Sequence, residues 1–116
     1  MTWHIDIHPD FLAEFEDLAR AVKKELFVKV KLLEEFGLEL KRPHADTLEG
    51  SKHSNMKELR FTADNGVWRV VYAFDPKRQA IMLVAGDKSG VSQKRFYKNL
   101  IKKADQRFDT HLKGQH

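Results

Sequence analysis

The sequence of 116 residues predicts an α+β fold: one domain, residues 1–116, with helices packed on one face of an antiparallel sheet. Three observations predict it. Apolar residues alternate with period two in three consecutive runs after residue 56. They recur at helical spacing from Phe11 to Phe36 and again from Phe96 to Phe108. The three alternating runs are joined by DNG and DPKR, both with hairpin turn chemistry.

In chain order, TWHIDIH alternates Trp3, Ile5 and Ile7 against His4, Asp6 and His8, which predicts a first strand. Pro9 suits the first turn of a helix and Asp10 its cap. The helical pattern runs through Phe11, Phe15, Leu18, Val22, Leu26, Val30 and Leu33. It divides near residue 20 into a helix pair or continues as one helix, and Gly37 stops it. Residues 38–56 carry Pro43, His44, Gly50 and His53 and are expected to be a connecting loop with function or a wrapping role. Runs 57–63, 67–74 and 79–85 form a three-stranded meander. Ser92 then caps a helix whose apolar face holds Phe96, Tyr97, Leu100, Ile101, Ala104 and Phe108. His111 and His116 fall in a polar tail expected to fray.

Composition limits the function. Without cysteine there is no disulfide or thiolate metal site, and no apolar run reaches membrane-spanning length, so no membrane partner and a cytoplasmic location are expected. The net charge of +4 is unevenly spread. Residues 1–58 hold nine Lys/Arg against twelve Asp/Glu, whereas residues 59–116 hold twelve against five. A basic surface over residues 86–103 fits a polyanion or a plain solvated helix face. His4, Asp6 and His8 could in principle bind a metal from one side of a strand, but neither metal nor cofactor is expected.

Each strand of the hairpin carries an arginine. With Asn65-Gly66 as a two-residue turn, Thr62 faces Arg69 and Arg60 faces Val71. Leu59, Phe61, Trp68, Val70, Tyr72 and Phe74 then share an apolar face, joined by Ile81, Leu83 and Ala85 if DPKR is a four-residue loop. Arg60 and Arg69 lie diagonally on the other face. Two readings stay open. The guanidiniums grip a phosphate, or each pairs with a carboxylate such as Glu58, Asp64 or Asp87.

The run DTLEGSKHSNMKELRFTADNGVWRVVYAFDPKRQAIMLVAGDKSG, followed by KRFYKNLIKKADQRF, resembles the RelE/HigB family of toxins from type II toxin–antitoxin modules, in its HigB-type, phage-associated branch. The resemblance implies a RelE-like fold that enters the ribosomal A site and cuts mRNA without metal, by attack of a ribose 2′-OH on the adjacent phosphate. It implies that Arg60 and Arg69 hold that phosphate, and that Lys57 and His53 are candidates for proton transfer. Lys52, Lys88, Lys94, Arg95 and Tyr97 become candidate RNA contacts, with core packing the competing role for Tyr97. A cognate antitoxin, a small helix-turn-helix or other DNA-binding protein, is the implied partner. An RNA- or ribosome-binding module without catalysis and a module that binds only the antitoxin are the competing functions.

Overall fold

The computed structural model describes residues 2–114. Its elements are β1 (His4–Ile7), α1 (Pro9–Glu16), α2 (Arg20–Phe36), a 3-10 turn (Gly37–Glu39), β2 (Ala45–Thr47), β3 (Met56–Ala63), β4 (Gly66–Phe74), β5 (Gln79–Asp87) and α3 (Gln93–Lys113). The α+β class and the helix pair stand. Among the described residues no helix is long and apolar enough to cross a membrane.

Local chemistry explains the helix ends. His8 caps α1, its Nδ1 accepting from the Asp10 amide at 3.1 Å, so the cap falls two residues before Asp10. That role takes His8 out of the strand that holds His4 and Asp6. The break before α2 is closed by the amides of Asp17 and Leu18, which donate to Glu14 and Phe15 carbonyls. Gly37 ends α2 at φ 51°, and the Trp3 indole occupies the space a Cβ would need. Ser92 caps α3 as expected, its Oγ accepting from the Arg95 amide at 3.3 Å.

The sheet has the order β1-β5-β4-β3-β2 and is mixed rather than antiparallel, because β1 runs parallel to β5. β2 lies within the expected loop, and its three residues pair with β3. Helices cover both faces of the sheet, not one. Phe11, Val22, Leu26 and Leu33 pack with Leu59, Phe61, Val70 and Tyr72 on one side. Phe96, Leu100, Ala104 and Phe108 pack with Met56, Val71, Ala73 and Leu83 on the other. The reason is the run VVYAF in β4, which is apolar at every position and must be buried on both sides.

The turn between β3 and β4 has two residues, but they are Asp64 and Asn65, at φ 51° and 61°. Positive φ at both positions is what the twist of a tight hairpin requires. Gly66 instead begins β4, where a Cβ would come within 2.7 Å of Asp87 Oδ2. The pairing is therefore displaced by two residues, which keeps every side chain on its expected face and sets Arg60 directly opposite Arg69. Between β4 and β5 the connection is the four residues 75–78, but the pairing starts one residue later than a four-residue hairpin loop gives, with Phe74 facing Ala80. Ile81 and Leu83 consequently point toward α3, and a register shift at Val71/Tyr72 returns Ala85 to the α1/α2 side.

Asp75 and Pro76 shape this second turn, and Asp75 also ties it to α3. Its Oδ1 accepts from the amides of Lys77 and Gln79, and its Oδ2 lies 2.9 Å from His111 Nε2. His111 therefore belongs to an ordered helix rather than to a frayed tail; His116 lies outside the described residues.

Tyr72 is fully buried, and its hydroxyl has no hydrogen-bond partner among the described residues. Burial also pushes its ionisation well above the ordinary tyrosine range. Tyr72→Phe is expected to raise stability by about 1 kcal/mol, the cost of an unsatisfied buried hydroxyl. A denaturant midpoint lower than that of the native protein would show that the hydroxyl has a partner.

Candidate functional site

Alternation along β3 sends Glu58 and Arg60 to the α3 side of the sheet, and the hairpin register brings Arg69 beside Arg60. Glu58 is almost completely buried and lies between the two guanidiniums. Its Oε2 accepts from Arg60 Nη1 at 2.7 Å, and its Oε1 stands 4.0 Å from Arg69 Nε. Tyr97, one helical turn into α3, donates its hydroxyl to Glu58 Oε1 at 2.9 Å and accepts from Arg69 Nε at 3.2 Å. Arg69 also donates to the Trp68 carbonyl at 2.8 Å. Tyr97 both packs against the second core and bridges the charged groups. Burial and then the bond to Glu58 push its ionisation up, so its proton is firmly held.

This cluster opens into a hollow of 380 Å³ at the β3 edge beyond β2, lined by Glu25, Lys29, Pro43, Arg60, Phe61, Thr62, Val67 and Arg69. Lys29 Nζ donates to His44 Nδ1 at 2.8 Å, and the His44 carbonyl accepts from the Arg60 amide. Lys88 follows β5, its amide bonded to the Val67 carbonyl. Its ammonium is more acidic than an ordinary lysine, through burial first and then repulsion by Arg69 and Arg60, with Glu58 opposing. Anion binding is the chemistry such a cluster offers: two fixed cations, a tunable third and one internal carboxylate.

The other expected site residues sit elsewhere. Lys57 pairs with Tyr72 and by alternation faces the α1/α2 side of the sheet. His53 Nε2 lies 2.9 Å from Asp109 Oδ1, and its ring meets Phe108 edge-on. Lys52 forms an ion pair with Asp109 as well. Asp109 is twelve residues beyond Tyr97, roughly 18 Å along the helix, so Lys52 and His53 clamp their loop to the far half of α3. Lys94 and Arg95 are exposed on the first turns of α3. From sequence Glu58 is expected only as a possible ion-pair partner, and the Lys29–His44 pair is not expected at all. The i, i+2 spacing of Glu58 and Arg60 was the available signal for the first; nothing local signals the second.

A family model described as Phage derived protein Gp49-like (DUF891) matches residues 13–109. The chain belongs to this family. Among its relatives are two candidate toxins of Mycobacterium tuberculosis. HigB2 is 41% identical over 111 residues, covering 95% of this chain and 54% of that protein. HigB3 is 47% identical over 87 residues, covering 75% of this chain and 74% of that protein. The Gp49-like chain thus spans about half the length of HigB2. Its fold is RelE-like. It matches an arginine-substituted mutant of the E. coli toxin RelE in the free state with a TM-score of 0.66 at 16% identity, covering 92% and 98% of the two chains. It matches a chain of the archaeal RelE–RelB complex from Pyrococcus horikoshii with a TM-score of 0.55 at 21% identity, covering 78% and 100%. The resemblance to the RelE/HigB family read from the sequence is borne out.

Two outcomes test the site of this Gp49-like protein. Glu58→Ala leaves two close guanidiniums without their shared carboxylate and is expected to cost about 3 kcal/mol in denaturant titrations. Added inorganic phosphate should recover more stability in the variant than in the native protein; equal effects would show that the arginines do not bind anions. The Asp109 carboxyl is held below its ordinary value, first by Lys52 and then by His53. A carboxyl depressed on folding stabilises the fold above the ordinary aspartate range near pH 4, and that contribution is lost as the pH falls through its folded value. Asp109→Asn should therefore lower the denaturant midpoint at neutral pH but not in strong acid.

Proposed function

We propose that this protein is the toxin of a toxin–antitoxin module and an endoribonuclease that cleaves mRNA on the ribosome without a metal. The observation that carries this reading is the cross-strand pair Arg60–Arg69 at the hollow, held by Glu58 and Tyr97. Family membership and the names of the relatives support it.

In this mechanism the ribose 2′-oxygen attacks the adjacent phosphorus. The bond from phosphorus to the 5′-oxygen breaks, leaving a 2′,3′-cyclic phosphate and a 5′-hydroxyl. Negative charge grows on the non-bridging oxygens, where Arg60 and Arg69 oppose it. One proton must leave the 2′-hydroxyl and one must reach the departing 5′-oxygen. Lys88, made more acidic by burial and both arginines, is the candidate for proton transfer here. Tyr97 positions Glu58 and Arg69, while His53 and Lys57 take no part. Lys94, Arg95 and the other exposed cations of α3 supply non-specific attraction to RNA phosphates. A cognate antitoxin is the expected partner, in keeping with the RelE–RelB complex of the structural relative.

A second reading, RNA binding without catalysis, draws support from Arg69, which is only 5% exposed and already faces an internal carboxylate. Induced expression in a bacterial host, with mapping of mRNA 5′ ends, separates the two. Codon-phased cuts that fall by about 10²–10³-fold in Arg60→Ala, at unchanged soluble level, are expected for the nuclease. Arg69→Lys provides a second variant that keeps the buried charge. Normal growth and no new ends with the native chain would leave the binding reading.

A further inference from the structure

Glu25 is out of place in the arginine hollow. Arg60, Arg69 and Lys29 make that hollow attractive to phosphate, and a carboxylate on the same wall weakens the attraction. Nor does Glu25 quench a neighbouring cation. It stands four residues before Lys29 on α2, the spacing at which a Glu–Lys pair closes most readily, yet Lys29 turns to His44 Nδ1 at 2.8 Å. Both arginines face Glu58 instead. Among the described residues the half-buried Glu25 carboxylate has no cation within 4.0 Å and no hydrogen-bond donor. Lys29 in turn keeps two N–H donors beyond the one it gives to His44. One turn of α2 therefore offers the hollow a donor and two acceptor oxygens, with Pro43, Phe61 and Val67 as apolar surface around them. The volume of 380 Å³ lies at the small end of the roughly 300–1,000 Å³ of ligand pockets, room for one nucleotide rather than a folded segment.

We infer that the hollow is a guanine subsite, in which Glu25 and Lys29 read the Watson–Crick edge of a nucleotide whose phosphate lies on Arg60 and Arg69. That edge of guanine presents O6 as acceptor, then N1–H and N2–H as donors, side by side. The two carboxylate oxygens accept from N1–H and N2–H in parallel, and Lys29 donates to O6. No other base satisfies both residues. Adenine offers a single donor beside the N1 lone pair, cytosine a single donor beside lone pairs at N3 and O2, and uracil one N–H between two carbonyl oxygens. In each case a carboxylate oxygen meets a lone pair, and a site built to hydrogen-bond one edge rejects the edge that lacks the donor. The inference rests on the phosphate-holding role of the arginines in the proposed function and adds the class of base that accompanies the phosphate. It does not require cleavage.

The test is a two-dimensional NMR titration of the full chain with 3′-GMP and 5′-GMP, against the matching inosine and adenosine monophosphates. Inosine keeps O6 and N1–H and lacks only the N2 amino group. GMP is expected to bind roughly tenfold more tightly than IMP, the weight of one hydrogen bond to a charged group, and to exceed AMP by more. Glu25→Gln should bring GMP down to the level of AMP while inorganic phosphate binds at least as well as before. Glu35→Gln, at an exposed carboxylate of the same helix, should change nothing, and Arg60→Ala should weaken all three nucleotides together. Retained dispersion of the spectra shows that each variant is folded. Equal binding of GMP and AMP, a preference that survives Glu25→Gln or is lost equally in Glu35→Gln, or no binding of any nucleotide would overturn the inference. Single-stranded pentanucleotides with a central G or A, blocked at the 2′-oxygen, identify the source of the base. Binding of the G pentamer above that of GMP points to RNA, the reverse order points to a free nucleotide, and the subsite stands in either case. Selective GMP binding without mRNA cuts would sink the nuclease reading and keep this one; cuts without selective binding would do the opposite.

Discussion

Two guanidiniums placed directly across an antiparallel strand pair repel, and neither can shed its proton to escape. The Glu58 carboxylate makes that arrangement possible. It is buried beneath both, with one oxygen toward Arg60 and the other shared between Arg69 and the Tyr97 hydroxyl. Such a carboxylate cancels part of the repulsion but cannot satisfy ten N–H donors, so the pair retains an appetite for a further anion. An incoming anion would therefore have to outcompete or supplement an internal one.

The remaining architecture serves to hold this cluster. β4 is the central strand, buried on both faces, and is gripped by α1 and α2 from one side and α3 from the other. Gly86 lets α3 approach the sheet closely, since a Cβ there would meet Phe96 at 2.9 Å. That approach delivers Tyr97 to Glu58. At the far end the helix is secured by Asp75–His111, by Lys52 and His53 on Asp109, and by Arg107, whose guanidinium grips both oxygens of Glu14 at 2.6 and 2.8 Å. The anchors are polar and lie far from the arginines, so the site end of α3 owes its position to packing along the whole helix.

Much of this was legible in the chain. Period-two and period-3.6 patterns located the long strands and all three helices, and parity alone placed Arg60 and Arg69 on one face. What escaped was decided by contacts between distant residues. Asn65-Gly66 is a strong local turn signal, but Gly66 is required where Asp87 and Trp68 crowd β4, and Asp64 can take the positive φ instead. β2 has three residues and exists only through its pairing with β3. The contact of His53 with Asp109, 56 residues away, is of the same kind. Lys57 lies on the α1/α2 side of the sheet, as its alternation with Arg60 already implies.

α2 has different surroundings on each flank. An α-helix turns about 100° per residue, so Val22, Leu26 and Leu33 point into the core while Glu25 and Lys29 border the arginine hollow on one side. Arg20, Lys24 and Phe27 border an apolar groove on the other. Val28 and Glu35 are left as a narrow outer strip. A substitution on the groove flank can therefore alter that surface while leaving Glu25 and Lys29 at the hollow undisturbed.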